Sequence, residues 1–212
     1  MIPSVEQISR PADGCETGQK QAHWRGRTPG SIIFRWREYL TNPDPLAHAA
    51  GMVAMVVAVN QPFYPLYLHA IVGAAAWPAW LTLLTTPFFA AIPAVARRHS
   101  LTGRAMLPVV GVVNTMLCVK LFGLTSAVEL FLLPCILLAA ILFRPDERAV
   151  MAPILLIPFV AYMGLDSILS PPLQVFSAEE YRSIVAVHAV SVASLTAFIG
   201  LLFVTILSER KV

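Results

Sequence analysis

The sequence predicts an all-α polytopic membrane protein, a bundle of six transmembrane helices with both the N- and C-termini in the cytoplasm. Three observations predict this fold. Hydrophobic residues make up 57% of the 212 residues and charged residues only 13%, about half the charged share of an ordinary soluble domain. Apolar runs long enough to cross a bilayer core of about 30 Å recur along most of the chain. These runs are continuously apolar and do not alternate between apolar and polar residues, which disfavours a β-barrel.

The polar N-terminal part of the chain is expected to lie outside the bilayer. Residues 1–30 contain no apolar core, so they are predicted to be a disordered cytoplasmic tail and not a signal peptide. Residues 31–43 predict a short amphipathic helix in the membrane interface, with Trp36 and Tyr39 on one face and Arg35 towards the other. A loop that carries aromatic residues is the alternative.

Residues 44–212 are predicted to form the six-helix transmembrane domain. Asp44 is placed to cap the first helix, with Pro45 in its first turn. No charged residue occurs from Pro45 to Ala96, a stretch too long for one span. The predicted spans are approximately residues 46–67, 70–97, 105–122, 126–143, 150–165 and 184–207. Three prolines are expected to kink the second span, and residues 166–183 are predicted to be the longest loop.

The basic residues predict the orientation of the bundle. Every Lys and Arg except Lys120 and Arg182 falls on one predicted side of the membrane. The positive-inside rule then places both termini in the cytoplasm and the protein in the cell inner membrane as a multi-pass protein. The net charge of +3 reflects these loops and gives no reason to expect nucleic acid as a partner.

Ionisable side chains that are predicted to lie near the outer, non-cytoplasmic surface of the membrane form a candidate ligand-binding site. Lys120 ends the third span and Glu129 begins the fourth, so the short turn between them allows an ion pair. In the alternative interpretation both side chains extend to the outer interface and set the depth of the turn. His188, His69 and Asp166 are predicted near the same level, and together the five residues define the candidate site.

Simpler structural roles remain open for several polar residues in the apolar runs. A lone histidine in a helix is more often a hydrogen-bonded packing residue than a ligand, which applies to His188. Asn114, in the third span, is expected to make a hydrogen bond between helices. Cys118 and Cys135 fall inside apolar runs and are expected to pack as small hydrophobic residues.

The sequence carries no motif that assigns a reaction. It contains no phosphate-binding GxxxxGK loop, no HExxH and no GxGxxG. The three cysteines show no CxxC spacing, so neither a metal site nor a disulfide framework is predicted. No serine or cysteine has an evident histidine partner. We therefore expect no catalytic residues and a protein that is not an enzyme.

One stretch resembles a known class of bacterial membrane region. The run Gly123-Leu124-Thr125-Ser126-Ala127-Val128-Glu129-Leu130-Phe131-Leu132-Leu133-Pro134, followed by leucine-rich sequence and Phe143-Arg144, resembles the six-span sensor region of some bacterial adenylate or diguanylate cyclases and sensor histidine kinases. The resemblance implies six spans, cytoplasmic termini and signal transduction, with Glu129 part of the sensing region. The sequence shows no cyclase or kinase output domain before Val212, so catalysis is not implied.

These observations favour a stand-alone sensory or accessory membrane module. We expect it to act through a membrane or cytoplasmic protein partner, as a homo-oligomer, or by binding a small apolar ligand. One alternative is a redox subunit in which His69 and His188 hold haem or contact a quinone. A small transporter with a proline-broken helix and a structural subunit of a larger complex are the others.

Overall fold

The computed structural model describes residues 38–209, and all the regular structure in that range is helical. The side chains of Asp166 and of residues 207–209 lie outside the described part. Residues 1–37 and 210–212 also lie outside it, and with them the predicted tail and most of the predicted interfacial helix. Residues 38–40, the described end of that segment, are helical.

Seven α-helices follow Asp44 in the described chain, and 3₁₀ segments join several of them. The α-helices are α1 (Pro45–Asn60), α2 (Tyr64–Val72), α3 (Thr86–Arg98), α4 (Ser100–Phe122), α5 (Leu132–Ile141), α6 (Arg148–Leu169) and α7 (Ala178–Glu209). The 3₁₀ segments are Gln61–Phe63, Gly73–Thr85, Leu124–Ser126, Val128–Phe131 and Pro145–Glu147. An all-helical fold is therefore confirmed for residues 38–209.

Several of these helical stretches have the length and composition of membrane spans. Four are long and apolar enough to cross a bilayer: Pro45–Arg98, Ser100–Phe122, Pro145–Leu165 and Ala178–Ile206. Val128–Ile141 is apolar but shorter. The outward faces of α6 and α7 carry large apolar side chains, with Met163 84% and Leu201 70% exposed. Such a surface suits lipid far better than water, so the structure agrees with a membrane protein. The number of passes stays a prediction.

The stretch Pro45–Arg98 doubles back on itself. A β-carbon added at Gly51 in α1 would lie 3.6 Å from the Pro93 side chain in α3. Further along, the Gln61 side chain contacts Thr85, with 2.7 Å between Nε2 and Oγ1. Contacts that advance along one limb while receding along the other define an antiparallel pair. Its two limbs are α1 with α2, and the segment Gly73–Thr85 with α3.

The returning limb differs from the predicted single kinked helix over residues 70–97. The chain turns at Gly73, whose φ of 62° is readily adopted by glycine. It then runs as a long 3₁₀ segment, Gly73–Thr85, before α3 begins. Pro78 lies inside this segment and lacks the backbone N–H that a regular α-helix would use. The predicted fourth span, residues 126–143, is also shorter as an α-helix, because Ala127 has a left-handed conformation and a 3₁₀ segment precedes α5.

Helix α4 is the centre of the bundle and contacts α1, α3, α5 and α6. Its start packs closely on α3, since a β-carbon at Gly103 would lie 2.4 Å from the Ala96 β-carbon. Its end is Gly123, with a φ of 78°. Two apolar clusters lie along α4: one surrounds Leu107, near its start, and the other surrounds Phe122, at its end.

Candidate functional site

A cavity of about 520 Å³ lies between α1, α4, α5 and α7 and is partly open to the surface of the bundle, where the lining residues Val56, Tyr67 and Val190 are exposed. Its lining includes small residues, among them Gly111 on α4 and Ser191 and Ser194 on α7. Pockets for small organic ligands usually measure about 300–1,000 Å³. No Asp, Glu, Lys, Arg or His occurs among its described lining residues. The cavity therefore has the size and neutrality of a site for an uncharged apolar ligand.

The lining is not uniform along the bundle axis. Towards the start of α4 the wall is apolar, with Leu107 in the middle of a cluster that also includes Val53 and Leu138. About two turns further along α4, the wall becomes polar at Asn114 and Gln61. Beyond these two residues the lining is largely apolar again, at Cys118, Val128 and Phe131, so the space has a polar patch between apolar walls.

The polar wall is a hydrogen-bonded cluster of Gln61, Thr85 and Asn114. Gln61 Nε2 donates to Thr85 Oγ1 at 2.7 Å and to Asn114 Oδ1 at 3.1 Å. The Thr85 hydroxyl lies 2.6 Å from Asn114 Oδ1. The predicted hydrogen bond of Asn114 between helices is therefore confirmed. Gln61 is only 7% exposed, and its Oε1 has no hydrogen-bond partner in the described structure.

His188 lies behind the cavity wall formed by Tyr64 and Phe131 and is fully buried. Its Nδ1 is 2.7 Å from the carbonyl oxygen of Ser126, which can only accept, so Nδ1 carries a proton. In the neutral ring Nε2 is then an acceptor, and the Tyr64 hydroxyl donates to it at 2.8 Å. Phe131 meets the imidazole edge to face, with ring centroids 6.0 Å apart. Tyr64 and Phe131 also line the cavity, so His188 supports its wall from behind.

The other four predicted site residues do not join His188 in a described contact. The Lys120 amine donates to the carbonyl oxygens of Leu169 and Pro171, at 3.3 and 2.9 Å. No described ion pair joins Lys120 to Glu129. Glu129 is partly buried, and its Oε2 has no hydrogen-bond partner in the described structure.

His69 and Asp166 lie on different helices. His69 is exposed on α2, and no hydrogen bond joins it to Lys120, Glu129 or His188 in the described part of the chain. Asp166 belongs to α6, but its side chain lies outside the described part. His188 is therefore the predicted residue that lies directly behind the cavity wall. No described hydrogen bond or ion pair joins it to Lys120, Glu129 or His69.

These histidines do not fit a haem site. Both ring nitrogens of His188 are already hydrogen-bonded, so neither is free to bind iron without breaking a buried contact. His69 is exposed on another helix. Within the described residues, no group of three or more His, Cys, Asp or Glu is arranged to hold a metal ion.

A second polar cluster closes the opposite end of α4, and the sequence did not reveal it. Arg104, only 2% exposed, is 2.5 and 2.7 Å from the two carboxylate oxygens of Glu147. It also donates to the Leu142 carbonyl oxygen at 2.8 Å. Its Nε lies 3.6 Å from a carboxylate oxygen of Asp44. One arginine thus joins the chain before α1, the start of α4 and the link between α5 and α6.

Asp44 is held in this cluster by several donors. Ser100 donates its hydroxyl to the carboxylate, Leu46 donates its N–H at 3.1 Å, and Arg144 lies 3.2 Å away. Burial alone would raise the pKa of Asp44, but the two hydrogen bonds and the charges of Arg104 and Arg144 outweigh it and lower the pKa below its ordinary value. The Asp44 carboxylate therefore stays ionised at neutral pH.

Comparison of the chain with protein-family models, with curated proteins and with solved structures finds no match.

Proposed function

We propose that this chain is a multi-pass protein of the cell inner membrane that binds a small apolar ligand in the cavity between α1, α4, α5 and α7. In this proposal it acts as a sensory or accessory membrane module, and a membrane or cytoplasmic protein partner receives its output. The observation that carries the proposal is the cavity of about 520 Å³, which is lined largely by apolar side chains and by no described charged residue.

The proposal also includes six passes with both termini in the cytoplasm. Two features support this count. The stretch Pro45–Arg98 is 54 residues long and doubles back, whereas about 20 helical residues cross a bilayer core. Val128–Ile141 packs beside α4. The next residue, Leu142, accepts a hydrogen bond from Arg104 near the start of α4, so this segment runs back along α4 towards its start. Arg104 and Arg144 both lie near Asp44, and in this proposal they are on the cytoplasmic side.

Photo-crosslinking tests the ligand-binding proposal. The probe is the methyl ether of dodecanol with a diazirine in mid-chain, added to the purified full chain in lipid nanodiscs. We expect saturable labelling of the peptides that carry the lining residues of α1 and α4, namely Val53, Val56, Val57, Gly111, Asn114, Thr115 and Cys118. Val57→Phe places a larger side chain in the cavity and should abolish the saturable part of the labelling.

Val113→Phe is the matched control, because Val113 is 55% exposed and does not line the cavity. This variant should keep the wild-type labelling. Labelling that rises linearly with probe concentration and spreads over the lipid-facing residues would overturn the proposal. So would saturable labelling that Val57→Phe leaves unchanged.

Transport of such a ligand is a second candidate function, favoured by one observation. The limb that returns from Gly73 begins as a 3₁₀ segment that contains Pro78, before α3, and irregular helices often adjoin the binding sites of transporters. Uptake of the tritiated dodecanol methyl ether into vesicles that contain the protein would support transport. Uptake equal to that of protein-free vesicles would rule out transport and leave ligand binding as the proposed function.

A further inference from the structure

We infer that one acyl chain of an outer-leaflet membrane lipid enters the cavity sideways, between α1 and α2 on one side and α7 on the other, while its head group stays outside the bundle. This inference rests on the proposed function, because it requires that the cavity binds an apolar molecule. It adds the class of ligand, a bilayer lipid, and the opening through which its chain passes.

The cavity is open on the side where α1 and α2 face α7. Exposed lining residues occur on both edges of this opening, Val56 and Tyr67 on one and Val190 on the other. Helix α1 packs mainly against α3 and α4 and only lightly against α7. No described lining residue on α4 or α5 is exposed. The cavity is therefore closed towards the centre of the bundle and open towards its outer surface.

A groove of about 500 Å³ on the outer surface of the bundle leads to this opening. It follows α1 into α2 and is lined by Leu40, Met52, Met55, Val56, Val59, Asn60, Phe63 and Tyr67. Val56, Asn60 and Tyr67 line both the groove and the cavity, so the two spaces meet at these three side chains. A chain that lies in the groove is thus already at the opening of the cavity.

The lining of both spaces suits a hydrocarbon chain and excludes a lipid head group. No Asp, Glu, Lys, Arg or His occurs among the described lining residues of either space, and an unpaired charge is costly to bury. An empty apolar cavity also loses the dispersion contacts that its walls could make. In a membrane, the acyl chains of the surrounding lipid are the most abundant apolar groups beside the opening, so a lipid chain is the expected occupant.

The level of the opening suits a lipid of the outer leaflet. Tyr67 lies about two helical turns before Gly73, where the chain turns back. In the proposed topology this turn is on the outer side of the membrane, and tyrosine is common at the interface between lipid and water. Val56 lies about three turns deeper. A lipid beside Tyr67 therefore keeps its head group at the outer surface while one chain passes into the cavity.

Photo-crosslinking by a bilayer lipid tests this inference. The probe is phosphatidylcholine with a diazirine at the far end of one acyl chain, incorporated into nanodiscs that hold the full chain. We expect labelling of Leu107, Cys135 and Leu138, which line the cavity and are too buried for lipid outside the bundle to reach. An excess of dodecanol methyl ether without a diazirine should suppress this labelling, because both molecules occupy the same cavity.

A second lipid probe locates the opening without any substitution. It carries the diazirine near the head-group end of the same acyl chain. We expect it to label Asn60 and Tyr67, where the groove meets the cavity, and not the buried lining residues.

Val190→Trp tests the opening directly, and Val204→Trp is its matched control. Val190 lines the cavity and is 67% exposed, whereas Val204 is 65% exposed on the same helix and does not line the cavity. A bound lipid keeps its chain in the opening, so Val190→Trp should reduce labelling of the buried residues roughly tenfold, which corresponds to about 1.4 kcal/mol of overpacking. Val204→Trp should be labelled like the wild type. Saturable labelling of Val190→Trp by the short ether probe shows that this variant is folded.

The failures of the two proposals are distinguishable. Lipid labelling that is confined to exposed residues, while the ether probe still saturates, would overturn the inference and leave the proposed function in place. Labelling of the buried residues that Val190→Trp leaves unchanged would overturn the assigned opening, and so would a head-group-end probe that labels neither Asn60 nor Tyr67. Ether labelling that does not saturate in the wild type would overturn the proposed function itself.

Discussion

The Tyr64 hydroxyl donates a 2.8 Å hydrogen bond to Nε2 of His188, and the two rings stack with their centroids 5.9 Å apart. Tyr64 begins α2, whereas His188 lies in α7, 124 residues later. Because Tyr64 also lines the cavity, this contact positions a part of the cavity wall. The same imidazole holds Ser126 at the turn before α5, so one buried side chain joins three parts of the bundle.

Replacement of His188 by alanine should therefore destabilise the protein. His188→Ala leaves the Tyr64 hydroxyl and the Ser126 carbonyl oxygen buried without their partner, which costs about 1–3 kcal/mol. Thermal unfolding in detergent should show a clearly lower midpoint. His69→Ala is the matched control, since His69 is exposed, and it should unfold like the wild type. Equal midpoints for the two variants would contradict a structural role for His188.

The helical segments could be predicted from the sequence because each depends mainly on its own residues. Predicted residues 105–122 end where α4 ends, at Phe122, since Gly123 follows with a positive φ. Predicted residues 150–165 fall within α6 (Arg148–Leu169). The 3₁₀ segment Gly73–Thr85 could not be predicted in the same way. An apolar run that contains a proline can form a kinked α-helix or a 3₁₀ helix, and its composition does not distinguish the two.

The candidate site could be predicted only in part, because contacts between distant residues decide it. Asn114 was recognisable as an isolated polar residue in an apolar run. Gln61 lies beside Asn60 and two prolines, a pattern also typical of a helix end, so its burial could not be predicted. Lys120 and Glu129 are close in sequence, but the Lys120 amine is held by the carbonyl oxygens of Leu169 and Pro171. That contact depends on the path of the loop after α6.

Arg104 should contribute far more to stability than Arg144, although both belong to the same cluster. Arg104 is 2% exposed and bonded to Glu147, whereas the Arg144 side chain is 47% exposed. Removing one member of a buried ion pair costs about 3–5 kcal/mol, and an exposed pair contributes less than about 1 kcal/mol. Unfolding by SDS in mixed micelles should therefore separate Arg104→Ala from Arg144→Ala. Similar unfolding of the two variants would show that the Arg104 contacts contribute little.

The Asp44 carboxylate should make the protein less stable as the pH becomes acidic. Its pKa is lowered in the folded protein, so the folded state releases this proton more readily than the unfolded chain, whose pKa is about 3.9. The contribution to stability is fully present above that value and is lost as the pH falls through the lower, folded-state pKa. Asp44→Asn should have a lower free energy of unfolding than the wild type at pH 7. Between pH 7 and about pH 3, its free energy of unfolding should fall less than that of the wild type.

Asp146→Asn is the control for this pH dependence, because Asp146 is exposed on the link between α5 and α6. Its unfolding free energy should follow the wild-type curve as the pH falls. A wild-type acid dependence in Asp44→Asn would show that another carboxylate is responsible.

The two ends of α6 should face opposite sides of the membrane. The helix has 22 residues, roughly 33 Å at 1.5 Å per residue, which matches a bilayer core of about 30 Å. In a variant whose three native cysteines are replaced, Ser170→Cys should react with a membrane-impermeant maleimide in intact cells. Asp146→Cys should react only after the cells are permeabilised. Both positions are exposed in the structure, so burial does not explain a difference. Labelling of both cysteines in intact cells would place them in one compartment and rule out the six-pass arrangement.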